Sequence, residues 1–167
     1  MKKSITVFGT VHRVQGAFKA PNLKHVDDPD YRQFIEDQLR TSHFDFVFEE
    51  ATEYGPTFAE DLTIKILGED HYLDVDPGPK NRAHFDIPPS REECVPLGKG
   101  YLIPEDLDVQ TRREELWVKR CAEQTFTCGL FICGHLHTLS LSFRLQEAGF
   151  SVVQASAYIP YRRLGGT

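Results

Sequence analysis

The sequence has few of the features that would tie it to a disulfide framework or to a membrane. It has four cysteines in 167 residues, and no two of them form a C-x-x-C pair. Such spacing in a chain of this length does not indicate a disulfide-stapled secreted fold. The first apolar stretch ends at Phe8, too early for a signal peptide, and no apolar run approaches the ~18 residues of a membrane span. We therefore expect a reduced, cytoplasmic protein without a membrane segment.

Positive charge is scarce as well. The chain has 19 lysines and arginines against 25 aspartates and glutamates, which gives a net charge of −6. Surfaces that bind DNA or RNA are usually basic, so we do not expect a nucleic-acid partner. An acidic chain can still bind a cation or a compact anion at one place. Nothing in the composition determines the oligomeric state.

The order of apolar and amphipathic segments predicts a single α/β domain over residues 1–167. Predicted strands cover 4–9, 44–48, 72–75, 130–133 and 150–153. Predicted helices begin at Pro29, at Pro56 or Thr57, and at Glu105, and a fourth ends at Ala148. Strands that alternate with helices favour a mainly parallel central sheet with helices on both faces. A chain of this length buries about 70% of its unfolded surface without needing staples.

Local signals mark the ends of the predicted helices. Asp28 can cap the first helix, with Pro29 at its first position. Thr57 and Glu60 have the spacing of a capping box, and Gly68 fits the end of that helix. Most of the ten prolines lie between positions 77 and 104, and this stretch is predicted to be a loop or lid.

Three predicted strands are followed by residues that commonly bind metals. His12 follows the first strand, Glu49 the second, and His135 and His137 the strand at 130–133. The carboxyl ends of parallel strands meet at one edge of a sheet, where ligands collect. Two imidazoles and one carboxylate leave open positions on a divalent cation, whose bound water loses a proton near neutral pH. The pattern therefore predicts a hydrolytic metal site.

The choice among neighbouring candidates stays open at this point. Glu49 is preferred as the carboxylate because it directly follows the apolar run, and Glu50 is then expected to face away, as a supporting partner or a surface charge. His135 is interpreted as a fourth ligand or a proton shuttle. A different possibility is a zinc cluster of Cys128, Cys133, His135 and His137. It is disfavoured because strand alternation would separate these side chains.

Arginines supply candidates for binding the substrate. Arg82 lies in a polar loop, and Arg112 and Arg113 lie on the long predicted helix. A planar guanidinium can hold a substrate carboxylate or phosphate. The competing interpretation is a salt bridge with one of the many acidic residues. With the first interpretation, Arg82 or Arg113 would hold a small anionic or peptide-like substrate under the 77–104 loop.

Three segments of the chain resemble the TIKI/TraB superfamily, whose fold is similar to that of erythromycin esterase and ChaN-like proteins. The segments are Gly9-Thr10-Val11-His12, Val47-Phe48-Glu49, and Gly134-His135-Leu136-His137 with the residues up to Gly149. The resemblance implies an α/β fold and a divalent cation (manganese, cobalt or zinc) held by His12, Glu49 and His137. It implies a metal-dependent hydrolase of an ester, peptide or similar bond, and relates Arg82 to an arginine of the family.

Two other functions remain as alternatives. The segment 131–137 also resembles the final G-H-x-H motif of calcineurin-like phosphoesterases. The early D-x-H and the middle G-N-H-[DE] motifs of that family do not occur in this sequence. The last alternative is a module of the same fold that binds a small ligand without turning it over.

Overall fold

The computed structural model describes residues 2–10, 15, 29–51, 56–78, 81–87 and 104–154, with the backbone alone at 104–106 and 154. The strands are β1 (Ser4–Thr10), β2 (Phe46–Glu49), β3 (Tyr72–Asp74), β4 (Cys128–Gly134) and β5 (Ser151–Gln154). The helices of this part of the chain are α1 (Pro29–Thr41), α2 (Phe58–Ile66), α3 (Pro104–Glu123) and α4 (Thr138–Glu147). The predicted cap Asp28 and most of the predicted 77–104 loop lie outside the described residues.

The five strands form one all-parallel sheet in the order β3-β2-β4-β1-β5. The chain first runs from β1 through β2 to the β3 edge, then returns through β4 to the β5 edge. Parallel connections are right-handed, so the change of direction puts α1 and α2 on one face and α3 and α4 on the other. The predicted α/β class with a parallel sheet is confirmed. None of the helices described is long and apolar enough to cross a membrane.

The sheet separates two apolar cores. Val47, Leu130 and Ile132 pack with buried residues of α1 and α2, on what we call the α1–α2 face. Phe48 and Phe131 pack with Trp117 of α3 and with α4, on the α3–α4 face. Successive residues of β2 and β4 therefore point to opposite cores, as strand geometry requires.

The predicted start and end of α2 are confirmed. Thr57 is the N-cap, and its Oγ1 accepts a hydrogen bond of 3.0 Å from the backbone N–H of Glu60. After the helix, Gly68 has a φ of 113°, a conformation that residues with a Cβ rarely adopt. These local contacts hold α2 directly after the end of β2.

Helix α3 presents polar residues on its buried face. Val109, Arg113, Trp117 and Cys121 are all buried at intervals of four residues, and Glu114 is buried beside them. The helix follows β3 and runs back along the sheet, so its first half lies near the carboxyl ends of the strands. Arg113 and Glu114 therefore reach the edge of the sheet at which β2 and β4 end.

Candidate functional site

A cavity of about 340 Å³ lies at the carboxyl edge of the sheet. Residues from the ends of β1, β2 and β4 and from α3 and α4 line it. The chain leaves β2 toward the α1–α2 face and leaves the adjacent strand β4 toward the α3–α4 face. Such a divergence opens a crevice in parallel α/β sheets, and ligands commonly bind there.

His137 is held at this cavity by a carboxylate of α3. Its Nδ1 lies 2.7 Å from Glu114 Oε1, and Glu114 also accepts hydrogen bonds from Ser140 Oγ (2.6 Å) and Arg144 Nε (2.9 Å). Burial raises the pKa of Glu114, but these bonds and the nearby positive charge outweigh burial, and the net pKa is lowered. Glu114 is thus an ionised acceptor for the proton on His137 Nδ1, and in the neutral imidazole with that tautomer the lone pair is on Nε2.

Glu50 faces the other ring nitrogen of His137, Nε2. It directly follows β2, and its Oε1 lies 3.7 Å from His137 Nε2. Its other oxygen, Oε2, accepts a hydrogen bond of 2.8 Å from the backbone N–H of Gly134. Arg113 Nη2 donates to Glu50 Oε1. The carboxylate is buried and held from two sides, so its position relative to His137 is well defined.

Arg113 connects Glu50 to the end of β3. Its Nε donates to Asp76 Oδ2 at 2.8 Å, and its guanidinium lies over the Trp117 ring, 4.9 Å from the centroid. Burial by itself would lower the pKa of Arg113. The charges and hydrogen bonds of Glu50 and Asp76 have the larger effect, so the net pKa is raised. Arg113 is therefore a permanent cation that neutralises two buried carboxylates.

The charges of the site are balanced. Arg82 Nε lies 3.8 Å from Asp76 Oδ1, so Arg82 and Arg113, the two predicted anion holders, both face carboxylates of the protein. The three carboxylates of the cluster are matched by three arginines: Glu50, Asp76 and Glu114 by Arg113, Arg82 and Arg144. Among these six described side chains, no positive charge is left over for a substrate anion.

Glu49 lies on the opposite side of the sheet. It accepts hydrogen bonds from Thr57 Oγ1 (2.5 Å), Tyr72 OH (2.9 Å) and Gln15 Nε2 (3.0 Å). Glu49 is still part of the β2 ladder, paired with Ile132, so strand alternation turns it to the α1–α2 face. The structure thus brings Glu50 rather than Glu49 to His137, the reverse of the order expected from the sequence.

The remaining candidates are spread around the site. His135 is exposed and lines the mouth of the cavity. Cys128 and Cys133 pack on opposite faces of the sheet, which argues against a cluster containing both. His12 lies outside the described residues. Within the described ranges, no group of three or more His, Cys, Asp or Glu side chains could hold a metal ion.

The sequence contains a signal for Arg113 and Glu114 that the strand-end argument did not use. The inward face of α3 is marked by residues that recur every four positions, namely Val109, Arg113, Trp117 and Cys121. Arg113 is the charged residue in this series. A charged residue on a buried helix face requires a partner of opposite charge. Glu114, Asp76 and Glu50 are the residues that this signal would have added.

The environment of Glu49 predicts a pH dependence of stability. Burial raises the pKa of Glu49 from 4.5 to about 8, against hydrogen bonds that lower it. Between these pH values the folded chain retains a proton that the unfolded chain has lost. The free energy of unfolding should therefore fall as pH rises through this window, by at most about 1.4 kcal/mol per pH unit from this group. Urea denaturation in EDTA at several pH values measures the slope.

The Glu49→Gln variant should have a flatter slope, because its amide does not titrate. Glu147→Gln, at the exposed end of α4, is the matched control and should keep the wild-type slope. Equal slopes in all three proteins would contradict the assignment of this proton to Glu49.

Comparison of the chain with protein-family models, with curated proteins and with solved structures found no match. The resemblance to the TIKI/TraB superfamily therefore depends on the three sequence motifs alone and stays a prediction.

Proposed function

We propose that this chain is a metal-dependent hydrolase whose reaction centre lies between His137 Nε2 and Glu50 Oε1. The observation that carries the proposal is the hydrogen bond from His137 Nδ1 to Glu114, which leaves Nε2 free to bind a cation or accept a proton beside a cavity. The bond hydrolysed is an ester, a peptide or a similar acyl bond. The cytoplasmic location expected from the cysteine pattern stays a prediction.

The donor atoms fit a divalent cation. Two atoms that each lie about 2.1 Å from one ion are at most about 4.2 Å apart, and Nε2 and Oε1 are 3.7 Å apart. Arg113 donates to the same oxygen, but a carboxylate oxygen has two lone pairs and can accept both. A neutral imidazole and a carboxylate are also common ligands of manganese, cobalt and zinc. The pair is thus suited to hold such an ion.

The third ligand is proposed to be His12, on sequence grounds. It follows Thr10, the last residue of β1, by two positions, and Thr10 lines the cavity. A bound divalent cation would lower the pKa of its water ligand toward neutrality, which is the chemistry that hydrolysis requires.

The residues around this pair have separate tasks. Glu114 fixes the orientation and tautomer of His137, and Ser140 and Arg144 hold Glu114. Arg113 holds Glu50 in position through a hydrogen bond to Oε1. The amino-terminal end of α4 adjoins the cavity, and its partial positive charge favours the negative charge that develops on an acyl oxygen during attack by water.

The adjacent glutamates provide the test. We expect Glu50→Gln to weaken binding of manganese, cobalt or zinc at least about tenfold, because it removes a charged ligand. Hydrolysis of p-nitrophenyl acetate and of a short peptide should fall at least in proportion. Glu49→Gln changes the same chemical group one residue earlier, on the other face of the sheet, and should keep both properties. Metal content is measured by elemental analysis after dialysis.

Two outcomes would count against the proposal. If Glu49→Gln loses the metal and Glu50→Gln keeps it, the carboxylate is assigned to the wrong face. If neither variant nor the wild type binds metal or hydrolyses an acyl bond, the proposed function is wrong. Turnover of an aryl phosphodiester with manganese, without turnover of esters or peptides, would support the phosphoesterase alternative instead.

A further inference from the structure

Helix α3 forms one wall of the cavity with a single stripe of side chains. Gln110, Thr111 and Glu114 follow Leu107 at three, four and seven residues, and all four line the cavity. Residues at these intervals lie on the same side of a helix. Glu114 is engaged with His137. Gln110 and Thr111, which are both half-buried, are the polar residues of this wall whose contacts with a ligand are still to be assigned.

The side-chain amide of Gln110 has a defined orientation. Arg113 Nη1 lies 3.2 Å from Gln110 Oε1. A guanidinium can only donate hydrogen bonds, so the amide atom that faces it must be the oxygen. The amide nitrogen is then turned away from Arg113, and it has no acceptor among the described residues. Because Gln110 lines the cavity, its two N–H groups are available to a bound molecule.

Thr111 offers a donor for a similar reason. Arg144 Nη2 donates to Thr111 Oγ1 at 3.1 Å, which occupies a lone pair of the hydroxyl. The hydroxyl proton has no acceptor in the part of the chain that the structure describes. The α3 wall therefore presents an N–H donor and an O–H donor on successive residues, and both require an acceptor atom on the ligand.

One guanidinium connects this wall to the proposed reaction centre. Arg113 donates to Gln110 from Nη1 and to Glu50 Oε1 from Nη2. Asp76 accepts from Nε and Nη2 of the same group, so the guanidinium is held on several sides. Gln110 and Glu50 are thus fixed relative to each other by one planar group. A substrate with one carbonyl at Glu50 can place a second acceptor oxygen at Gln110.

We infer that Gln110 Nε2 and Thr111 Oγ1 donate to a carbonyl oxygen of the substrate other than the one attacked. The inference rests on the proposed function for the bond that is cleaved, and it selects among the acyl bonds named there. A peptide or an ester of an N-acylated amino acid has such a second carbonyl, whereas a simple ester has none. The substrate class is therefore a peptide-like acyl compound, and Gln110 and Thr111 determine this specificity.

Two small amides test the inference by binding. N-acetyl-L-alanine methylamide has two carbonyls, and N-(pentan-2-yl)acetamide has the same chain length with methylene groups in place of the second amide. We expect the methylamide to bind at least about threefold tighter, because it gains a hydrogen bond. Burial of apolar surface alone would favour the pentyl compound, so the order of affinities is diagnostic. NMR titration of the isotope-labelled full chain measures both.

Variants locate the contact. Gln110→Glu keeps an oxygen toward Arg113 and replaces the free NH₂ group with a second acceptor. It should weaken binding of N-acetyl-L-alanine methylamide at least about threefold. Gln110→Met, which removes the donor without adding charge, and Thr111→Val should also weaken it. Gln146→Glu, the same substitution at an exposed position of α4, is the matched control and should keep the wild-type affinity.

Kinetics separates contact with the substrate from an effect through Arg113. N-acetyl-L-alanine p-nitrophenyl ester has a second carbonyl, and p-nitrophenyl acetate lacks one. The ratio of their kcat/KM values should fall at least about threefold in Gln110→Glu and Gln110→Met, in favour of the acetate. If kcat/KM falls equally for both esters, Gln110 acts only by holding Arg113, and the inference is wrong.

The binding results separate this inference from the proposed function. If the pentyl compound binds as tightly as the methylamide, or if Gln110→Glu and Gln110→Met leave methylamide binding unchanged, the inference is wrong even when esters are hydrolysed. If the methylamide binds as expected but neither ester nor a short peptide is hydrolysed, the assignment of the two donors stands and the hydrolase proposal fails.

Discussion

Replacing His137 with alanine is expected to lower kcat/KM for acyl hydrolysis about a thousandfold or more. The substitution removes the imidazole nitrogen that lies 3.7 Å from Glu50 Oε1. Loss of a general base alone typically costs about 10²–10⁴ in rate, and loss of a cation ligand adds to this. Steady-state kinetics measures the effect, and circular dichroism with a thermal melt verifies that the variant folds. Wild-type activity in a folded His137→Ala protein would exclude this site.

The Glu114→Gln variant tests whether the site needs the orientation and tautomer of His137 as well as its imidazole. The amide can present its NH₂ group to Nδ1, which favours the tautomer with the proton on Nε2 and removes the free lone pair. We expect a loss of about 10–100-fold in activity or metal affinity. Glu115→Gln is the matched control on the next residue of α3. Its side chain is largely exposed and lies 3.5 Å from Arg144, and its replacement should leave activity at the wild-type level.

Replacing Arg113 with methionine should lower the free energy of unfolding by about 3–5 kcal/mol. Methionine fills a similar space over Trp117 but leaves Glu50 and Asp76 buried without their shared cation. The energy expected is the cost of uncompensated buried charge, which exceeds what an exposed ion pair contributes. Urea denaturation near pH 7 gives the free energy from the transition midpoint and slope.

Arg112 offers a control one residue away. Its side chain is 47% exposed and donates to Asp108 four residues earlier, at 3.0 Å. Arg112→Met should change stability by no more than about 1 kcal/mol, the range of exposed pairs. Similar losses in both variants would mean that Arg113 acts through general helix stability rather than through the carboxylates it holds.

Most of the fold could be predicted because its signals are local. The N-cap at Thr57 and the end of α2 near Gly68 depend on residues a few positions apart. The segment 139–148 alternates partly like a strand, yet its helical interpretation is confirmed by α4. The pair Ala148-Gly149 is typical of a helix end in the sequence, and in the structure α4 ends directly before it.

The partners within the site could not be predicted in the same way. Glu49 and Glu50 are chemically identical neighbours, and the face each takes depends on where the β2 ladder ends. β2 stays paired with β4 through Glu49, one residue beyond the predicted end of the strand. Glu49 therefore takes the α1–α2 face, and Glu50 takes the opposite face. Arg113 is 63 residues from Glu50 in sequence, and only the packing of α3 across the sheet brings them together.

The sequence by itself determined that this chain alternates strands with helices and that a histidine motif follows β4, because periodicity, caps and turns act over a few residues. Only the tertiary structure decided that His137 meets Glu50 and Glu114 and that Arg113 and Arg82 face carboxylates. These contacts depend on strand register and helix packing between distant segments. A shift of one residue in a strand reverses which face a side chain takes.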